Sequence, residues 1–538
     1  MVLPPKRCFN FRKMSVLFSG NCTRGNRAAC KHSQALICLV TQHGHLVESS
    51  RDCLGFIRLP DAPMKSSIPS LRTLLSKVQK HAFTPVDIAS LVFFRIAFGL
   101  LMVWEVWRYF HYGWIATYWV EPRFLFKYYG FSWVQPWPGN GLYIHWAALG
   151  VLALFIAIGL LYRVSATLFF LGYTYAFLLD ESRWLNHTYL ICLFSFLLVF
   201  IPAHRGLSVD LLINPRLRTR PTPAWTLWLL RVQIGVVYFF SGIAKLSPDW
   251  LHGEPMRTWM AQRIDFPILG RFFQDEWTVY AMSYGALLLD LLIAPLLLWR
   301  RTRVAAFCAA LVFHLLNSKL FADLGVFPWL AIAATTLFFP PDWPRRFVSI
   351  FRPVTASPFS DIGRLPGPWK RFVVLSSAAI YIGIQVLLPL RHLLYPGGIE
   401  WTYEEHRFSW RMMLLDRYTL AFFYVTDPNI GKTYQVSPLE YLTRKQALRM
   451  EYRPDLLLQF AHYLATVMPR RGPKPLKVEA RVLISINGRK PQLLVDPNVD
   501  LAAEPWLLGR PRWLREIHDP LPIHRGEAPP HAPSFEDD

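Results

Sequence analysis

About nine apolar stretches, each at or near the length that takes an α-helix across a hydrocarbon core of roughly 30 Å, recur between residues 89 and 391. They lie near residues 89–108, 141–162, 164–180, 187–203, 225–245, 279–299, 303–320, 325–340 and 371–391. In lipid every backbone polar group has to be bonded within its own segment, so a chain with this pattern folds as a polytopic helical bundle. The third, fourth and eighth stretches are short and need tilting or cover from their neighbours. Of the 538 residues 53% are hydrophobic and only 17% charged, yet the net charge is +22. The positive residues are spread among the loops rather than gathered into one stripe, which excludes a nucleic-acid surface and leaves topology as their meaning.

That meaning is an orientation. With the N-terminus cytoplasmic, the inner loops carry Arg163, then Arg205, Arg216, Arg218 and Arg220, then Arg300, Arg301 and Arg303, then Arg345, Arg346, Arg352, Arg364, Lys370 and Arg371. The opposite loops hold fewer positives for their length. An odd number of spans places the C-terminal part outside the cytoplasm, on the same face as Arg183 to His187 and Lys245.

The expected fold is a mainly α membrane bundle over residues 70–392, followed over 393–518 by an extracytoplasmic α+β domain with a β-sandwich-like element. Tyr418 to Val425 and Val478 to Asn487 read as strands, with a turn at Asn487-Gly488 leading to Gln492 to Asp496, and Pro438 to Met468 reads as helix. Residues 1–69 read as a disordered or mis-annotated extension, with Met64 as an alternative start before an amphipathic lead-in at 70–80 and an organellar transit sequence as the weaker alternative. Residues 519–538 read as a disordered tail. Cys8, Cys22, Cys30, Cys38 and Cys53 crowd the extension, while Cys192 and Cys308 fall inside apolar stretches. No structural disulfide is therefore expected outside the cytoplasm.

Four polar residues in or beside the spans ask for explanation. Lys245 ends a long apolar run, so it either snorkels to the headgroups or loses its charge and becomes a base. His187, after Asn186, is either an interfacial residue or a hydrogen-bond donor to a developing oxyanion. Asn186-His187-Thr188 also fits a glycosylation pattern, but it abuts the membrane. His314 and Asn317 are one helical turn apart and either line a cavity or bond neighbouring helices. No His, Cys, Asp and Glu set has metal-ligand spacing, so no metal is expected, and no phosphate-cradling loop or nucleophile elbow is present.

Four segments together carry a resemblance. They are Pro85-Val-Asp-Ile-Ala-Ser-Leu-Val-Phe-Phe-Arg95, Leu178-Leu-Asp-Glu-Ser-Arg-Trp184-Leu-Asn186-His187, Val237-Tyr-Phe-Phe-Ser-Gly-Ile-Ala-Lys245-Leu-Ser-Pro-Asp-Trp250, and Phe313-His314-Leu-Leu-Asn317 followed by Gly325. With Phe408-Ser-Trp410-Arg-Met-Met413, Ile484-Ser-Ile-Asn487 and Asp496-Pro-Asn-Val-Asp500, they make the chain, over roughly residues 70 to 515, resemble the vitamin K-dependent γ-glutamyl carboxylases, whose membrane part is the horizontally transferred transmembrane (HTTM) domain.

The resemblance implies a membrane enzyme. Lys245 would deprotonate reduced vitamin K (a phylloquinol or menaquinol), oxygen would add, and the resulting alkoxide would take a γ-proton from a glutamate that then captures carbon dioxide while the epoxide leaves. His187 and Asn186 would assist at the quinol oxygen, with Trp184, Tyr238, His314 and Asn317 around the quinone. His406, Phe408, Trp410, Met413 and Arg417 would handle a protein or peptide glutamate. For Lys245 the chemistry requires a neutral amine, and burial beside Tyr238, Phe239 and Phe240 is the expected cause. The partners implied are lipid, quinone and a Glu-containing substrate.

The chain also departs from the family. Ala244 replaces the first of two adjacent lysines, and His406-Arg-Phe408-Ser-Trp410-Arg411-Met412-Met413 stands where the animal enzymes have Tyr-Gly-Tyr-Ser-Trp-Asp-Met-Met. Their tethering cysteine pair and much of their C-terminal extension are missing. The chain thus reads as a short, bacterial-type homologue in which quinol epoxidation is better supported than glutamate carboxylation. A quinol-epoxidising enzyme with another substrate, or a non-enzymatic quinone or lipid binder, are the alternatives.

Overall fold

The computed structural model describes residues 71–217, 221–321, 324–351, 366–394, 401, 406–506 and 511–516, with 518, 520 and 521. Expectations for residues 1–69, for Met64, for the five N-terminal cysteines and for the tail beyond 521 lie outside the described residues.

Each of the expected apolar segments is helical. Helix α1 (Leu71–Ala82) leads into α2 (Ala89–His111), α3 (Gly141–Ile158), α4 (Tyr162–Leu178), α5 (Asn186–Phe200), the short α6 (Val209–Ile213) and α7 (Ala224–Ala244). Two short helices, α8 (Pro248–Leu251) and α9 (Met256–Ala261), precede α10 (Glu276–Leu298), α11 (Arg303–Leu320), α12 (Phe327–Thr335), α13 (Trp343–Phe351) and α14 (Pro368–Leu390). Strands β1 (Pro85–Asp87) and β2 (Pro221–Pro223) pair antiparallel and tie the start of α2 to the start of α7.

Of the nine expected spans, six have spanning length. Among the described residues 6 helices, namely α2, α3, α7, α10, α11 and the one starting at Pro368, are long and apolar enough to cross a membrane. Helices α4, α5 and α12 have 17, 15 and 9 residues. Each has residues covered by its neighbours: Phe169 of α4, Ile191 and Phe194 of α5, and Leu330 and Ala334 of α12 are wholly buried in the helical core.

Two features explain how the helices close up. Gly99 faces α3 so tightly that a Cβ there would stand 2.6–2.8 Å from backbone atoms of Ala153 and Ala157. Arg95, fully buried, donates from Nη1 and Nη2 to the carbonyls of Ala157, Ala203, Gly206 and Leu207 at 2.6–3.3 Å. Carbonyls at helix ends and turns have no partner of their own, and one guanidinium supplies several of them. Arg95→Met is therefore expected to cost about 2–4 kcal/mol, since it orphans buried acceptors. Thermal unfolding in detergent reads this out, and an unchanged midpoint would show that the carbonyls find other donors.

The C-terminal region holds one antiparallel sheet. Strands β3 (Arg417–Asp427), β4 (Lys432–Val436), β5 (Lys477–Ile486) and β6 (Gln492–Leu493) are ordered β4-β3-β5-β6. Asn487 and Gly488 take left-handed backbone, φ 51° and 74°, as the Asn-Gly turn requires. The helix expected over 438–468 is broken into α15 (Arg444–Met450) and α16 (Pro454–Val467), because a Thr443–Gln446 capping box starts one and Pro454 starts the other.

The β-sandwich-like element is corrected too. Phe423, Val425, Val478 and Val482 pack with Leu457, Phe460 and Leu464 on one face, while Tyr418, Leu420 and Phe422 on the other remain exposed. No second sheet covers that face among the described residues.

Candidate active site

Helix α7 carries Tyr238, Ser241 and Lys245 three and four residues apart, so their side chains share one face. Gly242 admits α10 to that end of the helix: a Cβ there would lie 2.7–2.9 Å from Leu291, its backbone nitrogen included. This approach sets Asp290 against Lys245. Lys245 Nζ donates to Asp290 Oδ2 and to Ser241 Oγ, both at 2.8 Å, and Ser241 Oγ donates to the same carboxylate oxygen at 2.7 Å. Lys245 and Asp290 are each 4% exposed. The Trp250 ring lies 5.2 Å from Nζ and is anchored by its own N–H to the Ser283 carbonyl at 2.9 Å.

The expected surroundings of Lys245 are corrected accordingly. Phe239 is 49% exposed, and neither it nor Phe240 lies on the 238/241/245 face. The groups that hydrogen-bond the amine are polar, a hydroxyl and a carboxylate on neighbouring turns and helices. Lys245 does not snorkel either. Tyr238 continues the same face and meets His314, with Oη 2.6 Å from Nε2. Asn317 makes no side-chain hydrogen bond among the described residues.

The second group of candidates forms around the start of α5. Trp184 and Tyr189 pack on Phe408, with ring centroids at 4.5 and 4.9 Å, and Tyr189 stacks on Trp410 at 5.1 Å. Asn186 Nδ2 donates to the Arg411 carbonyl at 3.3 Å. Asn186 Oδ1, Trp184 Nε1 and Trp410 Nε1 are buried with no protein partner. His187 lies beside Gly325 and Arg108: a Cβ on Gly325 would stand 3.4 Å from His187 Nε2 and 3.2 Å from Arg108 Nη1. Arg108 is itself paired with the buried Glu105 at 2.8 Å. A helix N-terminus and a guanidinium thus bracket the imidazole, which suits negative charge developing nearby.

The loop from His406 to Met413 is unusual in its backbone. Phe408, Trp410 and Met413 have φ of 60°, 59° and 52°. Each such residue costs of order 1 kcal/mol or more and persists only where the surroundings enforce it. The enforcement comes from Arg407, which pairs with Glu181 and with Asp455, and from Arg453, which reaches the same two carboxylates at 3.3 and 3.0 Å. His406 is buried, and burial together with Arg417, Arg411 and Arg453 holds its imidazole well below the usual histidine value, hence neutral. Arg417 stacks on Tyr452 at 4.9 Å, and Met413 is 37% exposed. His406, Phe408, Trp410 and Met413 are brought together in one loop, with Arg417 at the start of β3, but Phe408 and Trp410 face the Trp184–Tyr189 group.

A further tie joins the Lys245 segment to the sheet. Asp249 accepts from Arg489 at 2.6 and 2.8 Å and from Asn487 at 2.7 Å. Burial works to raise the Asp249 carboxyl, but the hydrogen bonds from Arg489 and Asn487 outweigh it and hold the group below the usual range. No hydrogen bond joins the Lys245 cluster to the Asn186–His187 cluster among the described residues, although α5 packs on α7.

Ser241, Asp290, Glu105 and Asp249 were not among the expected site residues. Asp290 had a signal, because a lone carboxylate in an apolar span is a functional candidate on cost alone. No group of three or more His, Cys, Asp or Glu suited to a metal occurs among the described residues. Cys192 and Cys308 are free thiols.

Comparison with known families gives two matches. The family model for the HTTM domain matches residues 83–343, and that for the vitamin K-dependent gamma-carboxylase, lumenal domain, matches residues 370–519. No solved structure matches the chain. With 6 helices of spanning length and a lumenal-domain match that begins in the sixth and runs past it, the chain is a multi-pass membrane protein whose C-terminal region is extracytoplasmic.

Proposed function

The chain belongs to the vitamin K-dependent γ-carboxylase family, and from that premise we propose that it is a membrane enzyme coupling the oxygenation of a reduced vitamin K to the carboxylation of glutamate. Its membrane domain then spans 70–392 and its extracytoplasmic domain 393–518, with the N-terminus in the cytoplasm. The observation that carries the reading is the Lys245–Ser241–Asp290 cluster, a buried, mutually bonded amine, hydroxyl and carboxylate.

The residues fit a reduced vitamin K. Trp184, Tyr189, Phe408 and Trp410 offer aromatic faces for a bicyclic head, Asn186 Oδ1 is an orphaned acceptor for a hydroxyl, and Trp184 Nε1 and Trp410 Nε1 are orphaned donors for oxygen. When bound, that group supplies, with oxygen, the strong base that removes a glutamate γ-proton. Lys245 Nζ takes a proton and becomes an ammonium held by Ser241 Oγ and Asp290 Oδ2, where the proton stays. The ammonium left facing the ligand balances the negative charge formed there. His187, between Arg108 and Gly325, donates a hydrogen bond at the oxygen that becomes anionic. Since Phe408 and Trp410 pack on Trp184 and Tyr189, access requires the 406–413 loop to move, and its strained backbone lowers the cost of that motion.

A second reading keeps the same base but another acceptor. It is favoured by the 406–413 loop, whose rings face inward and whose His406 and Arg411 are buried, leaving no tyrosine hydroxyl for a glutamate. One assay separates these. Purified protein receives reduced vitamin K, oxygen, labelled bicarbonate and a Glu-containing peptide, with epoxide and fixed label measured separately. Both products are expected; epoxide without label favours the second reading, and neither product leaves a quinone or lipid binder.

Gly325→Ala tests the placement of His187. A Cβ there crowds His187 and Arg108 at a residue with φ 54°, so epoxide formation is expected to fall by about one to two orders of magnitude. Unchanged turnover would remove His187 from the reacting oxygen.

A further inference from the structure

A small cavity of about 20 Å³ opens among the ends of α2, α3, α4 and α5, lined by Tyr109, Trp119, Trp146, Tyr173, Arg183 and Thr188. It exceeds the roughly 10–15 Å³ that one water needs. Its walls are aromatic planes: the Tyr109 and Trp146 rings stack with centroids 3.9 Å apart, and Trp119 and Trp146 at 5.5 Å. Four of the lining residues carry buried donors without a partner, namely Trp119 Nε1, Trp146 Nε1, Tyr173 Oη and Arg183 Nε. Trp119, Trp146 and Tyr173 are 5%, 1% and 3% exposed, so water at the surface does not serve them.

Unmade bonds at buried donors are costly, and several around one cavity point to an occupant with acceptor atoms. The occupant is also small, uncharged enough to lie against ring faces, and without many hydrogens of its own to satisfy. Carbon dioxide meets these conditions. Its oxygens accept from N–H and O–H groups, and its electron-poor carbon is attracted to the electron-rich faces of Trp and Tyr. Dioxygen has no charge separation between its atoms, so it accepts from these donors more weakly still and has no electron-poor centre for the ring faces.

We propose that this cavity holds the carbon dioxide that is to be fixed, at a point adjoining His187 through Thr188. The inference rests on the carboxylase reading. Arg183 helps to shape the site, since its guanidinium is held over the Tyr118 ring at 3.4 Å and does not fill the cavity as a free cation.

Its test is spectroscopic first. The full chain in detergent is equilibrated with ¹³C-labelled carbon dioxide, and the antisymmetric stretch is compared between wild type and Ala176→Leu, whose added atoms occupy the cavity that Ala176 also lines. A bound-gas band distinct from that of the detergent is expected in wild type, lost in Ala176→Leu and displaced in Trp146→Phe. No band in wild type, or a band that survives in Ala176→Leu, overturns the site and leaves water as its occupant. In turnover, Tyr173→Phe, which keeps its ring, and Trp146→Phe, which keeps an aromatic face, each lose a donor and are expected to raise KM for carbon dioxide about three- to tenfold with KM for quinol and oxygen unchanged. A rise confined to oxygen overturns the assignment. Wild type that binds the gas but fixes none would leave this site standing and the carboxylase reading fallen; fixation without a bound-gas band would do the reverse.

Discussion

Lys245→Ala is expected to form neither epoxide nor carboxylated product, with turnover reduced about 10²–10⁴-fold, the range a positioned general base contributes. Its side chain ends in a cluster with no second amine to replace it, and the residue before it is Ala244. The loss should fall on kcat, because Nζ meets Ser241 and Asp290 rather than the ring group of Trp184, Phe408 and Trp410 that is proposed to hold the ligand. Epoxide assays alongside a quinone-binding measurement check this. Wild-type turnover in the variant would assign the proton to another group, while loss of binding with normal turnover at saturation would make Lys245 a ligand contact.

Removing Asp290 has a second large effect, and it is on folding as well as activity. Asp290 and Lys245 are both almost wholly buried and share one hydrogen-bonded contact at 2.8 Å. Taking away one partner leaves the other polar and unpaired, which costs about 3–5 kcal/mol, whereas replacing both with apolar side chains of similar size is often neutral. Asp290→Ala is therefore expected to lower the unfolding midpoint sharply, and Lys245→Met combined with Asp290→Leu to recover most of it while remaining inactive. The double variant separates the structural from the chemical role of the pair, since recovered stability without activity is what a catalytic pair predicts. A double variant as unstable as Asp290→Ala would show that the cluster, Ser241 included, is needed to hold α7 against α10.

Much of this architecture was legible from hydropathy alone. Every expected apolar segment is a helix, and the three segments too short on length are the three that lack spanning length in the fold. For α5 and α12 apolar composition alone does not say whether the cover is protein or lipid, because burial in either selects the same residues. The β3 and β5 strands followed from alternation, and the turn between β5 and β6 from Asn487-Gly488. A second sheet did not follow, because one-sided alternation states that one face is buried and is silent on what buries it.

The candidate site was legible in its members but not in its wiring. Lys245, His187 and Asn186 stood out as polar groups at span ends. Asp290 was hidden by distance in sequence, since its contact depends on the close approach at Gly242, a tertiary fact. The same holds for Asp249 with Asn487 and Arg489, and for Arg407 and Arg453 on Glu181. Of the neighbours inferred for Lys245, Tyr238 shares its face while Phe239 and Phe240 are on other faces of the helix, and the amine's hydrogen-bond partners came from one turn back and from another helix.

The central claim is that Lys245 accepts a proton in the quinol step, and chemical rescue tests it most directly. Small primary amines of increasing basicity are added to Lys245→Ala, and epoxide formation is measured for each at equal concentration of the free amine. Rescue is expected, at a rate that rises with amine basicity along a positive Brønsted slope. Rescue absent from the whole series in a folded variant that still binds quinone, or rescue independent of basicity, would contradict it.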